Sequence, residues 1–370
     1  MAGRAVGAGP APPAGPARHD PAIEEVRHDD YLGRTSVASL RRSTRVFVER
    51  GRFELDDLRS AITAEAPDVL VIDTNAWGAA AVADASGLPW ASIQPFPTPL
   101  PAPGVPPFGP GLRPRRDAVG RARDGVLRPL VIGAVQRAVL GPLNEVRRGA
   151  GAPPLEGIVE QYLRPPLTLY LTSRAFEHPR EEWPDSFCFT GPLAWDPRAA
   201  PFDVPPGPVA LVTTSSEFQA DGVLVRTARY ALDGTDLTVL ATMPAGASVT
   251  DVPRNARVEE FVPHSQVLPH AAVAVTHGGM GATQRALAAG VPVVVVPFGR
   301  DQAEVGRRAE RAGAGVLLPR RRLTAPRLRA AVREARTLQP AAQRLARAMA
   351  EEAGAAGAAD RLEALVRDWR

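Results

Sequence analysis

The chain has 370 residues, enough for two domains of ordinary size, and 45% hydrophobic against 23% charged residues marks it as globular rather than disordered. All 44 basic residues are arginine; against 40 acidic residues they leave a net charge of only +4, scattered rather than striped, which excludes nucleic acid as the expected main partner. The single cysteine, Cys188, allows no intrachain disulfide and reads as a buried structural thiol; with no leader-like pattern and no run of about 18 apolar residues, the expectation is a cytoplasmic chain without stable membrane insertion.

In chain order, residues 1–21 are rich in Gly, Ala and Pro and read as irregular. Residues 35–65 carry a helical pattern, 68–73 (DVLVID) a short buried strand, 76–86 a helix closed by Gly87, and 90–96 the next strand. Eight prolines make 97–116 a loop, followed by an amphipathic helix over 118–147 and strands at 167–173 and 187–191. The stretch 192–208 is Pro-rich and aperiodic. It places a linker at 196–208 between a first domain, 1–195, and a second, 209–370. The second domain repeats the alternation, with strands at 209–215, 237–243, 258–262, 273–276, 291–297 and 316–318. From Ala325 it is helical, and the final helices are expected to pack back toward the first domain. The fold class is α/β: two doubly wound, Rossmann-like domains facing a cleft.

The block 273–302 (VAVTHGGMGATQRALAAGVPVVVVPFGRDQ) holds the chemistry. A β-run ends in His277 and a cluster of glycines, Gly278, Gly279 and Gly281, before a helical segment that Gly290 stops. Glycines let backbone approach an anion, and the N–H groups of a helix start favour negative charge, so the implied ligand is a phosphate or pyrophosphate. His277 reads as a donor to that phosphate or as a structural residue at a strand end. Thr283 either adds a hydroxyl donor or caps the helix. Thr213, Thr214, Ser215 and Ser216, after another strand, either line the same site or form a turn.

His277, the glycines, Thr283, Gly290-Val291-Pro292, Pro297 and the pair Asp301-Gln302 resemble the signature of the family 1 glycosyltransferases, and most closely their bacterial natural-product branch. Upstream, Phe261-Val262-Pro263-His264 with Val267-Leu268-Pro269-His270 resembles the family's aromatic-x-Pro-Gln…Val-Leu-x-His element. The resemblance implies the GT-B architecture. It also implies that Phe261 and Val262 hold a nucleobase and that Asp301 and Gln302 bond sugar hydroxyls; residue by residue, Phe261 can instead be core and Asp301 a helix cap. Position 285 is Arg where many members place Glu for the ribose, so ribose recognition is expected to differ.

In the first domain Pro67–Pro89 resembles the segment in which an Asp, here Asp73, orients a catalytic histidine; alternatively Asp73 caps a helix. The family's Gly-His-x-x-Pro loop does not occur. His19 and His28 are not assigned as the base, and the first domain is expected to lack its opening strands. The implied function is inverting, metal-independent transfer of a sugar from a dTDP- or UDP-linked nucleoside-diphosphate sugar to a hydroxyl of a lipophilic aglycone. The nucleotide sugar is a co-substrate and no cofactor is expected; a homodimer is the candidate assembly. The aglycone cavity is expected behind the 95–114 loop. The alternatives are a catalytically impaired nucleotide-sugar-binding or helper protein of the same fold, and an epimerase.

Overall fold

The computed structural model describes residues 36–193, 195–196, 200–215, 222–243 and 255–369, with side chains from residue 44 onward. The expectations for residues 1–21, for His19 and His28 and for Ser216 lie outside the described residues. Helix α1 (Ser36–Glu65) leads into strand β1 (Leu70–Asp73), helix α2 (Trp77–Ala85), strand β2 (Trp90–Gln94), helix α3 (Ala118–Ala150), and strands β3 (Leu167–Tyr170) and β4 (Phe187–Phe189). These strands form a parallel sheet laid down in chain order, β1-β2-β3-β4. Every residue of β3 and β4 is buried, as expected for a parallel sheet covered on both faces. β1, at one end of the order, alternates instead: Leu70 and Ile72 are buried while Val71 is 41% exposed.

The second sheet uses β5 (Val209–Thr213), β6 (Thr238–Thr242), β7 (Ala256–Glu259), β8 (Ala271–Thr276), β9 (Val293–Val295) and β10 (Gly315–Leu317). Its order is β10-β9-β8-β5-β6-β7, all parallel, so the strand order reverses between β5 and β8. That reversal opens a crevice at the carboxyl ends of the strands. Alternate residues face opposite layers: Val209 and Leu211 enter one core, Ala210 and Val212 the other. The helices are α4 (Gly222–Ala231), α5 (His264–Val267), α6 (Met280–Ala288), α7 (Gln302–Arg311), α8 (Ala325–Thr337), α9 (Gln339–Ala350) and α10 (Gly354–Trp369). α10 returns to the first sheet. Ala358, Leu362 and Leu365 pack on Ala91, Leu167, Leu169 and Cys188, and Trp369 Nε1 donates to the Gly87 carbonyl at 2.9 Å. One apolar cluster also runs from Leu100, Tyr170 and Phe176 into the second domain at Leu287 and Val305, joining the two halves.

α3 starts where the Asp117 carboxylate accepts from Gly120 N at 2.8 Å and ends at the left-handed Gly151. Among the described residues it is the one helix long and apolar enough to cross a membrane. Its apolar residues have another use: Val131, Ile132, Val135 and Val139 line a cavity.

Candidate active site

The register of the second sheet sets Thr213 beside Thr276 and Thr242, and Thr276 beside Val295. The segments leaving β5, β8 and β9 therefore emerge side by side. His277 leaves β8 buried, with its ring over the start of α6: a Cβ added to Gly279, the N-cap residue, would lie 2.5 Å from His277 Nε2. The first bond closing the helix runs from Thr283 N to the Gly279 carbonyl. The amides of residues 280–282 precede it, as in an anion-binding helix start. Gly281 faces open space. Gly278 has φ +95°, and a Cβ there would sit 2.9 Å from Gln302 Cβ and Val295 Cγ1. Only glycine lets the start of α7 approach the turn this closely. Ser215, buried, follows β5 on the same edge.

Two residues behave differently from expectation. Thr283 is fully buried, and its Oγ1 shares a 2.9 Å hydrogen bond with Thr276 Oγ1. It does not cap α6, whose N-cap is Gly279, and it reaches the turn through Thr276, whose Oγ1 also accepts from Gly278 N at 3.2 Å. Gln302 is also buried; its Oε1 accepts from Phe298 N at 2.7 Å and Gly299 N at 3.1 Å. That carbonyl oxygen shapes the loop after β9 and is not open to a sugar hydroxyl. Asp301 sits at the N-terminus of α7, after Arg300 at a strained φ of +50°. Burial holds its carboxyl above the ordinary range, against its own backbone N–H, Arg300 and Arg308. Its side chain makes no cap hydrogen bond, so the capping alternative is not met.

Phe261 lies beyond the end of β7, two residues past Glu259, and is 50% exposed, whereas Val262 is 2% exposed. At this exposure Phe261 is not a core residue, whereas Val262 anchors the segment in the core. His264 opens α5; burial, then Arg285, lowers its pKa. Arg285 pairs with Asp196, whose Oδ2 accepts from Ser265 N at 2.7 Å. The interdomain segment thus supplies a carboxylate beside the residue that stands in the ribose position.

In the first sheet Asp73 is exposed at the end of β1, its Oδ1 accepting from Asn75 N at 2.7 Å. It closes a turn and leaves Thr74 and Asn75 lining the cavity. The cavity has a volume of about 270 Å³ and is walled by Phe47, Trp77, Phe96, Phe108, α3 and prolines of the 97–116 loop. Two buried polar atoms among its lining residues, Arg128 Nε and Gln161 Oε1, have no hydrogen-bond partner among the described residues. Among the described residues no hydrogen bond joins Asp73 to a histidine; its carboxylate accepts from Asn75 N. His178 is 1% exposed, and burial, then Arg308, Arg311 and Arg180, lower its pKa to about 2.

Buried polar contacts that no local pattern marks also join the halves. Gln284 on α6 accepts from Thr172 Oγ1 at 2.7 Å and donates to the Leu171 carbonyl at 3.0 Å. Arg308 on α7 donates to Glu177 Oε1 at 2.9 Å and Glu304 Oε2 at 3.2 Å, all three side chains being buried. The spacing of Glu304 and Arg308 is a visible i,i+4 pair, but Glu177 lies 131 positions away.

Residues 230–365 match the family described as the erythromycin biosynthesis protein CIII-like C-terminal domain. The chain is 33% identical over 339 residues to 4'-demethylrebeccamycin synthase of Lentzea aerocolonigenes, covering 86% of this chain and 80% of that protein. The chain belongs to the family 1 natural-product glycosyltransferases, and it is a glycosyltransferase enzyme. Its fold matches the solved glycosyltransferase of kitacinnamycin (TM-score 0.72, 24% identity, 90% of this chain and 84% of that one). It also matches the glycosyltransferase VinC in complex with dTDP (TM-score 0.63, 20% identity, 91% and 84%). Both likenesses establish the GT-B fold.

Proposed function

We propose that the enzyme moves a sugar, with inversion, from a dTDP- or UDP-linked donor at the 277–281 turn to a hydroxyl of a lipophilic aglycone in the 270 Å³ cavity. The observation that carries this reading is the close packing of one turn: His277 lies over Gly279 at the start of α6, and Gln302, the first residue of α7 after Asp301, packs against Gly278. His277 and the helix amides would take the charge that develops on the leaving diphosphate. Phe261 would stack on the base, and Asp301 would accept a hydrogen bond from a donor-sugar hydroxyl. The acceptor oxygen attacks the anomeric carbon, the bond from that carbon to the diphosphate breaks, and the hydroxyl proton passes to a base that Asp73 orients.

The relatives support the substrate classes: one is named for rebeccamycin chemistry, and VinC was solved with dTDP. The apolar residues Val131, Ile132, Val135 and Val139 of α3 facing the cavity support a lipophilic acceptor. Product analysis by mass spectrometry tests the reading. dTDP-glucose or UDP-glucose with a panel of aromatic and macrolactone aglycones should give a hexoside. A nucleotide sugar returned only as its epimer, or bound without transfer to any aglycone, would favour the epimerase or helper reading.

A further inference from the structure

We propose that Glu304 and Arg308 are positioning residues that tie the aglycone-facing 97–116 loop to the start of the donor helix α7, so that filling the donor site orders the acceptor wall. Both ends of the loop are held by one buried chain of hydrogen bonds. At its beginning, Thr98 N donates to Tyr170 Oη at 2.7 Å, and Tyr170 Oη donates to Glu177 Oε1 at 2.5 Å. Glu177 accepts from Arg308 Nε, and Arg308 Nη1 reaches the Glu304 carboxylate. Toward the loop's other end, Glu304 Oε1 accepts from Gly109 N and Gly111 N, each at 2.9 Å, while Arg307 Nε donates to the Gly111 carbonyl at 2.8 Å.

The contact is steric as well as polar. Gly111 has φ +60°, and a Cβ there would lie 2.5 Å from the Cβ of Ala303, two residues after Asp301. The loop between these ties supplies Pro99, Pro101, Pro106, Pro107 and Phe108 to the cavity. A single α-helix therefore carries a candidate donor-sugar residue at its first turn and the anchors of the acceptor wall one and two turns later. A buried ionic network is a poor adhesive compared with apolar packing of the same volume. Its directional bonds to particular loop amides suit positioning, and the carboxylates of Glu177 and Glu304 keep the guanidinium ionised despite its burial. Desolvation alone would lower the Arg308 pKa, but Glu177, Tyr170 and Glu304 outweigh it and raise it.

The proposal rests on the donor-site reading of Asp301. Hydrogen exchange of the full chain tests it, with dTDP-glucose and UDP-glucose as probes and calorimetry run in parallel. Donor binding should slow exchange in peptides covering 97–116 by about 5-fold or more, the lower range of allosteric coupling. Glu304→Ala and Gly111→Ala should still bind donor yet lose that response, and Glu304→Gln, which keeps an acceptor oxygen, should recover part of it. If Glu304→Ala does not fold, the loop variant Gly111→Ala carries the same test. Donor binding without loop protection in the wild type, or an unchanged response in both variants, overturns the coupling. If neither nucleotide sugar binds the wild type, the donor reading itself falls and the coupling with it.

Discussion

The glycine turn proposed for the nucleotide and the apolar cavity proposed for the aglycone are built in opposite ways. The turn is local: His277, three glycines and a helix start lie in consecutive positions, and two backbone peculiarities, at Gly278 and Arg300, bring α7 against it. The cavity is assembled from α1, the end of β1, a proline-rich loop, α3 and the segment 158–162. A shared phosphate chemistry can be served by backbone amides that no substitution of side chains alters. Aglycones differ in shape, and a wall gathered from distant, mostly apolar side chains can be changed piece by piece while the sheet beneath it stays fixed.

The contrast predicts that, with the other substrate held at saturation so that the coupling through α7 is fully engaged, damage on one side leaves affinity on the other intact. The largest effect belongs to Asp73→Asn. Losing the group that orients the base should lower kcat by about 10²–10⁴-fold while dTDP affinity is unchanged. A variant with full kcat would show that Asp73 serves only its turn with Asn75. Next comes His277→Ala, which should cost about 1.5–3 kcal/mol of nucleotide affinity by calorimetry and leave the acceptor KM alone. Equal weakening of both substrates would mean that the two sites are not separable.

A third effect is on stability. His178 has a depressed folded pKa, near 2, because burial and then Arg308, Arg311 and Arg180 oppose its protonation. Above its unfolded pKa of about 6.5 both states are neutral and the group contributes nothing to the pH dependence. As pH falls below that value the unfolded chain gains a proton that the folded one refuses, so stability is lost toward acid. The slope from this one residue is at most about 1.4 kcal/mol per pH unit. Urea unfolding between pH 7 and 5 should show that loss in the wild type and a shallower slope in His178→Gln; identical slopes would remove His178 as a determinant. The smallest effect is in the cavity. Gln161→Leu should change acceptor KM by about 1 kcal/mol, or roughly fivefold, if Gln161 Oε1 accepts from the aglycone. Donor KM should not move.

Much of this was legible in the sequence. Strand and helix order followed from apolar periodicity, and the anion turn from glycines after a β-run. The proline loop and the apolar face of α3 pointed to the cavity wall. Strand ends were less so: β7 stops at Glu259, which leaves Phe261 and Val262 in a loop where one is exposed and the other buried. Thr283 and Gln302 carry the residue types of ligand contacts, yet their nearest polar partners are in the protein, and only packing reveals that. The Arg308–Glu177 pair and the hold of Glu304 on Gly109 and Gly111 were invisible because they join segments separated by 131 to 195 positions. Asp196 was likewise read only as part of a linker, although its carboxylate engages Arg285 and Ser265.

The proposed site puts the nucleotide on the second sheet, with its base at Phe261 and its diphosphate at the 277–281 turn. Photo-crosslinking with 5-azido-UDP-glucose, followed by peptide mapping, tests it most directly. Label should be confined to peptides covering 255–283 and competed away by unlabelled UDP. Competable label on peptides from 70–170, with 255–283 clean, would contradict it.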